Sequence, residues 1–371
     1  MFAPLTADQQ EFQALVRDFM TRKSTEAEVR RLMETEEGYD PEVWRRMAEE
    51  LGLQGLVIGE EHGGQGAGWI ELGVVLEEMG RVLLCAPFLS TVVLAGSAIL
   101  EAGDPDAAAA RLPGIARGQT IAALAFPGEN GRWDAAGVTA RAVRDGDGRR
   151  ISGAAPATID GHVADVFVVP ARGEDGAISL FLVDRGDGVQ TRPLRTLDLT
   201  RKVADVTFAG APAQPLGEPG AGWPVLERVL ALAAVGLAAE QAGGARAALE
   251  MSVAYLKERV QFGQPIGAFQ ALKHMAADVL VEVESASSAA AYARWAAAEA
   301  REELPAAAAL AAAFCTEAFV TAAHQNIQFH GGMGFTWEVP AHLYFKRARA
   351  DEILLGDAQH HRELLARRLG L

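Results

Sequence analysis

The chain has 371 residues, half of them hydrophobic, which gives room for two or three domains with a sizeable core and excludes a disordered chain. Its net charge of −15 gives no support to nucleic-acid or anionic-membrane binding, both of which favour basic patches. The two cysteines, Cys85 and Cys315, and eight histidines without paired ligand spacing fit reduced thiols in a cytoplasmic protein with no metal site. The opening Met1-Phe2-Ala3-Pro4-Leu5-Thr6 has no basic segment leading into an apolar one, so no secretory leader is read there. Charged residues interrupt the Ala-rich stretches before any reaches the roughly 20 apolar residues of a membrane span.

The first 118 residues read as helices. Thr6 and Gln9 make a capping box ahead of Phe12, Leu15, Val16 and Phe19. Asp40-Pro41 is an N-cap and first-turn proline for a segment running through Leu51. A Gly63-Gly64-Gln65-Gly66 loop precedes a helix from Trp69 to Met79, and a further apolar helix covers Leu89 to Leu100. Across 119–213 the period shortens. Runs such as 164–169, 178–183 and 203–208 are rich in β-branched and aromatic residues and lie among Asp-Gly steps at 145–146, 147–148, 175–176 and 187–188. They predict a small antiparallel β-domain. Residues 214–371 return to helix: Trp223 to Arg259, then Phe269 to Glu303, then two more after the break at Leu304-Pro305. The Ala-rich faces around Ala289–Ala300 and Ala306–Ala313 suit close helix packing, and a dimer or dimer of dimers with the last helices between chains is expected.

Two blocks carry the chemistry. Arg259-Val260-Gln261-Phe262-Gly263-Gln264-Pro265-Ile266-Gly267-Ala268-Phe269-Gln270 ends an apolar helix with a cation, a Gly/Pro break and two aromatics. Arginine at such a break can hold a diphosphate through paired charge-assisted hydrogen bonds, while Phe262 and Phe269 can cover a flat ring system and Gln270 can meet ring or sugar polar atoms. Gln328-Phe329-His330-Gly331-Gly332-Met333-Gly334-Phe335 follows downstream. Its paired glycines let backbone approach a phosphate closely.

These blocks, in this order, resemble the acyl-CoA dehydrogenase family, whose flavin signature reads R-x-x-F-G-x-P-I-x-x-F-Q, and the helix–β–helix order resembles that family along essentially the whole chain. The resemblance implies an α+β fold with an N-terminal helical domain, a middle antiparallel β-barrel-like domain and a C-terminal four-helix bundle. It implies FAD as cofactor, an acyl-CoA substrate and an electron-transfer flavoprotein as acceptor. Arg259, Gln261 and Phe262 would contact the adenine and diphosphate end, with Phe269 and Gln270 beside it and Gln328, Gly331 and Gly332 approaching. In such enzymes a carboxylate takes the α-proton while flavin accepts the β-hydride, and donors steady the developing enolate.

The ring end departs from the family. Phe126-Pro127-Gly128-Glu129-Asn130-Gly131-Arg132-Trp133-Asp134 stands where T-E-P-x-x-G-S-D is usual, and Ala157-Thr158-Ile159-Asp160-Gly161 replaces W-x-T-N-G. The family Glu of the E-G-T block falls on Leu355, ahead of Gly356-Asp357-Ala358, and the family's other base position falls on Ala233. Two carboxylates are therefore candidates for the base. Glu240 lies two turns past Ala233 on the same helix face, framed by Gly236, Leu237, Gly243 and Gly244, which suggests room for a bulky acyl chain. Asp357 lies two residues past the lost Glu. A solvated or interface Glu and a surface Asp explain the same residues, and Lys346-Arg347 with Arg349 reads as a solvated face or subunit contact.

In the family, flavin sits at a dimer interface, with ring contacts from one chain and adenine-end contacts from its neighbour. The groups donated across the interface are kept here and those of the chain's own ring site are weakened. That resembles subunits of bacterial heteromeric dehydrogenases acting on steroid side-chain CoA thioesters. An active subunit of a homomer or heteromer, a catalytically silent partner completing another chain's flavin site, and a flavoprotein using another substrate or oxygen all fit the pattern.

Overall fold

Residues 4–146 and 148–371 are described by a computed structural model. Met1-Phe2-Ala3, where the leader reading begins, and Asp147, in one predicted hairpin turn, lie outside the described residues. Helices come first: α1 (Ala7–Lys23), α2 (Glu26–Met33), α3 (Pro41–Leu51), α4 (Trp69–Arg81), α5 (Ser97–Glu101) and α6 (Pro105–Ala116). Their starts follow local chemistry. Thr6 and Gln9 form the reciprocal capping box of α1, and Asp40 accepts from Glu42 and Val43 ahead of Pro41 in α3.

The apolar run from Leu89 departs from a simple helix. Leu89–Gly96 winds as a π-helix, with every residue buried, and α5 continues it. Two polar residues in the wide turns are bonded outward. Ser90 Oγ donates to Asp160 Oδ2 at 2.6 Å, and Thr91 Oγ1 lies 3.1 Å from the Ala122 amide that donates to it.

Seven strands follow: β1 (Ala122–Leu124), β2 (Arg141–Asp145), β3 (Gly148–Ile159), β4 (Val166–Arg172), β5 (Ile178–Asp184), β6 (Val189–Pro193) and β7 (Val203–Leu216). Their order is β1-β4-β2-β3-β7-β5, with β6 on β7, and a β4–β5 pairing closes the circuit. Most pairings are antiparallel, as expected from the hairpin turns, but β1 and β2 both run parallel to β4. β1 covers the first half of one β4 edge and β2 meets its end, because the long connection after β1 brings the chain back in the same direction.

The last third holds α7 (Gly222–Glu258), a short hairpin β8 (Val260–Gln261) and β9 (Gln264–Pro265), α8 (Gln270–Glu299), α9 (Leu304–His330), α10 (Ala341–Asp351) and α11 (Ala358–Arg368). Three helices, not two, follow the Leu304-Pro305 break, since Pro305 sits in the first turn of α9, where its missing N–H is harmless. α7 and Leu304–Phe335 are long and apolar enough by composition to cross a membrane, but most of each apolar stretch is buried in the fold as core.

The chain forms two compact units that cut across the three sequence segments. One gathers Met1–Arg31, Trp69–Leu84 and Ala234–Leu371; the other gathers Leu32–Gly68 and Cys85–Ala233. In the first unit, α4 and α7 meet backbone to backbone. A Cβ on Gly80 would lie 1.9 Å from the Glu240 carbonyl oxygen, and one on Gly243 the same distance from that of Glu77. Gly244 lies under the ring of Phe319 from α9, where a Cβ would come within 2.6 Å of it. The small residues around Glu240 therefore serve helix crossings that larger side chains would force apart. The alanines of α8 and α9 are used the same way: Ala290, Ala293, Ala296 and Ala297, with Ala307–Ala309 and Ala311–Ala313, are buried within the single chain. They are not the free faces expected for packing between chains. The apolar side chains left outside on these helices are Leu280, Val281, Leu310 and Phe314.

Gly243→Ala should destabilise the flavin-free protein by about 1–3 kcal/mol through overpacking, read as a lower urea midpoint. Gly332→Ala enters open space and should leave that midpoint in place.

Candidate functional site

α7 ends at Glu258, and the chain turns at once into the β8–β9 hairpin, whose two central residues, Phe262 and Gly263, have φ of 53° and 79°. These angles are those of a type I′ two-residue hairpin, which needs left-handed backbone at both positions. Glycine meets this freely and Phe262 does not, so an aromatic is held in a disfavoured conformation at the tip. The tip side chain is 91% exposed, with Phe269 edge-on at 6.0 Å between ring centroids. Arg259 and Gln261 are exposed beside it, and Gln270 opens α8, whose N-terminus has no side-chain cap. Gln328 is exposed on the last turn of α9. Beyond it Gly331 has φ 59°, and a Cβ on either Gly331 or Gly332 would meet nothing within 4 Å. The first block thus presents a cation, amides and an aromatic face outward, and the second an amide, an aromatic and bare backbone.

The structure ties the two blocks together one turn behind them. Ser252 donates to Asn326 Oδ1 at 3.0 Å, and Tyr255 stacks on His330 with centroids 4.2 Å apart and planes 27° from parallel. His330 is buried, its Nδ1 2.8 Å from the Asn326 carbonyl. These four side chains couple the C-terminal ends of α7 and α9, so that Arg259 and Gln328 project from one junction. The sequence reading did not single out Ser252, Tyr255 or Asn326. A signal was present in Tyr255, at i−4 from Arg259 on the same helix face.

The strand end at 157–161 lies in the other unit. Ala157 and Asp160 both have φ of 52°, so an irregular backbone is kept where the family motif would stand. Its side chains turn inward. Thr158 Oγ1 donates to the Ala155 carbonyl at 3.0 Å, Ile159 is buried, and Asp160 accepts from Ser90. Phe126 packs edge-on against Trp133 at 5.7 Å. Neither stretch offers an exposed aromatic wall or a free hydroxyl to a ring system.

Neither candidate carboxylate stands open. Glu240 is buried and accepts from Arg347 Nη1 at 2.5 Å, with Arg347 itself only 2% exposed. Arg347 is therefore core and not the solvated face read from Lys346-Arg347-Arg349. The room inferred above Glu240 is taken by the α4 and α9 contacts of Gly243 and Gly244, so the bulky-pocket inference does not hold. Along α7, Glu240 lies 19 residues from Arg259, about 28 Å at helical rise. Asp357 is exposed and caps α11, its Oδ1 accepting from the His360 amide at 2.7 Å. Leu355, at the vacant family position, is buried with φ 61°.

The residues fit a flavin unequally. The exposed hairpin tip and the open Gly331-Gly332 backbone suit its adenosine-diphosphate end; the strand end at 157–161 lacks side-chain partners for its ring. Comparison with known proteins identifies the family. The profile described as acyl-CoA dehydrogenase, N-terminal domain, matches residues 6–119, and that for the acyl-CoA dehydrogenase C-terminal domain matches 220–370. The chain is 35% identical to the acyl-CoA dehydrogenase IpdE2 of Mycobacterium tuberculosis over 97% of its own length and 96% of that protein's. A chain of the ChsE4-ChsE5 complex from Mycobacterium tuberculosis superposes with a TM-score of 0.90 at 30% identity, covering 99% of this chain and 98% of that one. A chain of the Tcur3481-Tcur3483 steroid ACAD gives 0.87 at 32%, covering 98% of each.

Replacing Arg347 by Met leaves the Glu240 carboxylate buried without its guanidinium, and should destabilise the fold by about 3–5 kcal/mol. Pairing it with Glu240→Gln should return part of that loss, measured as urea midpoints in a double-mutant cycle.

Proposed function

Since the chain belongs to the acyl-CoA dehydrogenase family, oxidoreductases that act on CH–CH bonds, we propose that it is one subunit of a flavin-dependent, cytoplasmic heteromer removing hydrogen across the α,β bond of an acyl-CoA thioester. The observation that carries this reading is the contrast between an outward-facing adenine-end surface and two carboxylates already committed elsewhere. Arg259 would hold the diphosphate of FAD by charge-assisted hydrogen bonds, with Gln261, Gln270 and Gln328 meeting polar atoms around it. Phe262 and Phe269 would cover the flat adenine end, and Gly331-Gly332 would admit phosphate oxygens to bare backbone. Bound flavin supplies the hydride acceptor; electrons would then leave to an electron-transfer flavoprotein.

The acyl group is proposed from the relatives alone, as a bulky, ring-bearing chain of the steroid kind, because one of them is a steroid ACAD. A second reading is favoured by the Glu240–Arg347 pair and by Asp357 acting as a helix cap: the chain completes the flavin site while a second dehydrogenase chain supplies the base. Both readings need a partner. The relative named as a ChsE4-ChsE5 complex, built from two differently named chains, supports that requirement.

Arg259→Ala should give folded protein with little flavin, through loss of about 2–3 kcal/mol of charge-assisted binding. Unchanged flavin per chain, with an unchanged circular dichroism spectrum, would show that Arg259 only terminates a helix.

The base is located by flavin bleaching with an accepted acyl-CoA in the co-expressed complex. If the partner supplies it, Glu240→Gln and Asp357→Asn both bleach at the parent rate once flavin content is matched. A loss of about 10²–10⁴ in rate for either variant, with an unchanged circular dichroism spectrum and urea midpoint, would put the base on this chain.

A further inference from the structure

The loop after Gly331-Gly332 leads to Trp337, which is 57% exposed and gathers basic groups in a chain of net charge −15. Lys346 Nζ of α10 lies 4.7 Å from the indole centroid and Arg30 Cζ of α2 lies 5.5 Å from it. The ring of His342 stands edge-on to the same indole at 4.5 Å. A Trp face gains from one or two such cations, but this cluster is incompletely satisfied. Lys346 makes no ion pair among the described residues. Arg30 Nε donates to Glu26 Oε1 at 2.8 Å, while Nη2, equally near that oxygen, is buried without a well-directed hydrogen bond. His342 is only 6% exposed, and its Nε2 is buried with no partner among the described residues. A buried polar nitrogen without a partner is unfavourable unless a ligand completes it.

We propose that Arg30, His342 and Lys346, gathered around Trp337, form a binding site for a phosphate-type oxyanion. Lys346 supplies a mobile ammonium and Arg30 part of a planar donor fork, a combination suited to tetrahedral oxyanions. His342 would add an N–H in the tautomer protonated on Nε2. Burial, with Lys346 and Arg30 acting in the same direction, pushes His342 down to about 4, so the imidazole is neutral at pH 7 and both cations bear on it. An anion would offset that field. The acidic groups Glu26, engaged by Arg30, and Glu338, next to Trp337 in sequence, sit on exposed positions. Exposed Phe335, two residues before Trp337, adds a second aromatic for a ring attached to the phosphate.

This site does not rest on the proposed dehydrogenase reading, and its test reads binding rather than turnover. Inorganic pyrophosphate is titrated into the full-length chain by calorimetry at constant ionic strength, with chloride as the matched control. Saturable binding is expected, weakened about 10- to 100-fold by Lys346→Met, as for loss of one charge-assisted hydrogen bond, and largely restored by Lys346→Arg. Circular dichroism confirms that both variants fold. Flavin-loaded protein should bind as tightly as flavin-free protein, since the cofactor's diphosphate is proposed at Arg259; binding that disappears on flavin loading would belong to that surface and overturn the proposal. No saturable binding, or equal binding by Lys346→Met, overturns the proposal.

Discussion

The reciprocal contact of α4 and α7, with Gly80 against the Glu240 carbonyl and Gly243 against that of Glu77, fixes how closely two helices approach. Interiors are packed near crystal density, so an axis separation set by bare glycines leaves little slack for neighbouring side chains. α4 also carries polar links to its neighbours, some buried and some at the surface. Glu78, 1% exposed, takes Arg17 of α1 at 2.7 Å, and Arg81 reaches Glu250 of α7 at 2.6 Å. Tyr344 of α10 donates to the Arg81 carbonyl at 2.6 Å, and burial pushes its hydroxyl up to about 12. The Glu240–Arg347 pair adds a second link from α7 to α10. The buried charges among these, Glu78 and the Glu240–Arg347 pair, require their partners, so charge satisfaction joins apolar burial in holding this unit's helices.

The same crossing explains why a carboxylate framed by glycines in sequence has no open space above it in the fold. Gly243 and Gly244 beside Glu240 invite the picture of space above an acid. A glycine leaves space only if nothing else enters it, and here the α4 backbone and Phe319 do. Gly331 and Gly332 are the opposite case, their missing side chains facing nothing within 4 Å. The two glycine pairs share a composition and differ in use.

Much of the fold was legible in the sequence because its signals are local. Capping at Thr6 and Asp40, the Asp-Gly turns, the period change near residue 119 and the long helix into Arg259 each depend on a few adjacent residues. The π-helix at Leu89–Gly96, the parallel contacts of β1 and β2 with β4, and the burial of Arg347 depend on distant partners: Asp160, β4 and Glu240. No window of sequence contains those partners. The adenine-end blocks were readable because backbone freedom and residue type at each position point to the same use. The coupling of those blocks by Ser252, Tyr255, Asn326 and His330 was not, since it joins residues about 75 positions apart.

Phe262 at 91%, Phe335 at 77% and Trp337 at 57% exposure leave an unassembled copy of this chain with several large rings in water on one unit. Exposed apolar surface of that kind is a binding site in the right company and a nucleus for aggregation without it. Newly made copies waiting for ligand or partner would therefore be the form that chaperones and proteases engage, and steady-state abundance would follow the supply of whatever covers these rings. Synthesis in step with that supply becomes a requirement of the surface itself.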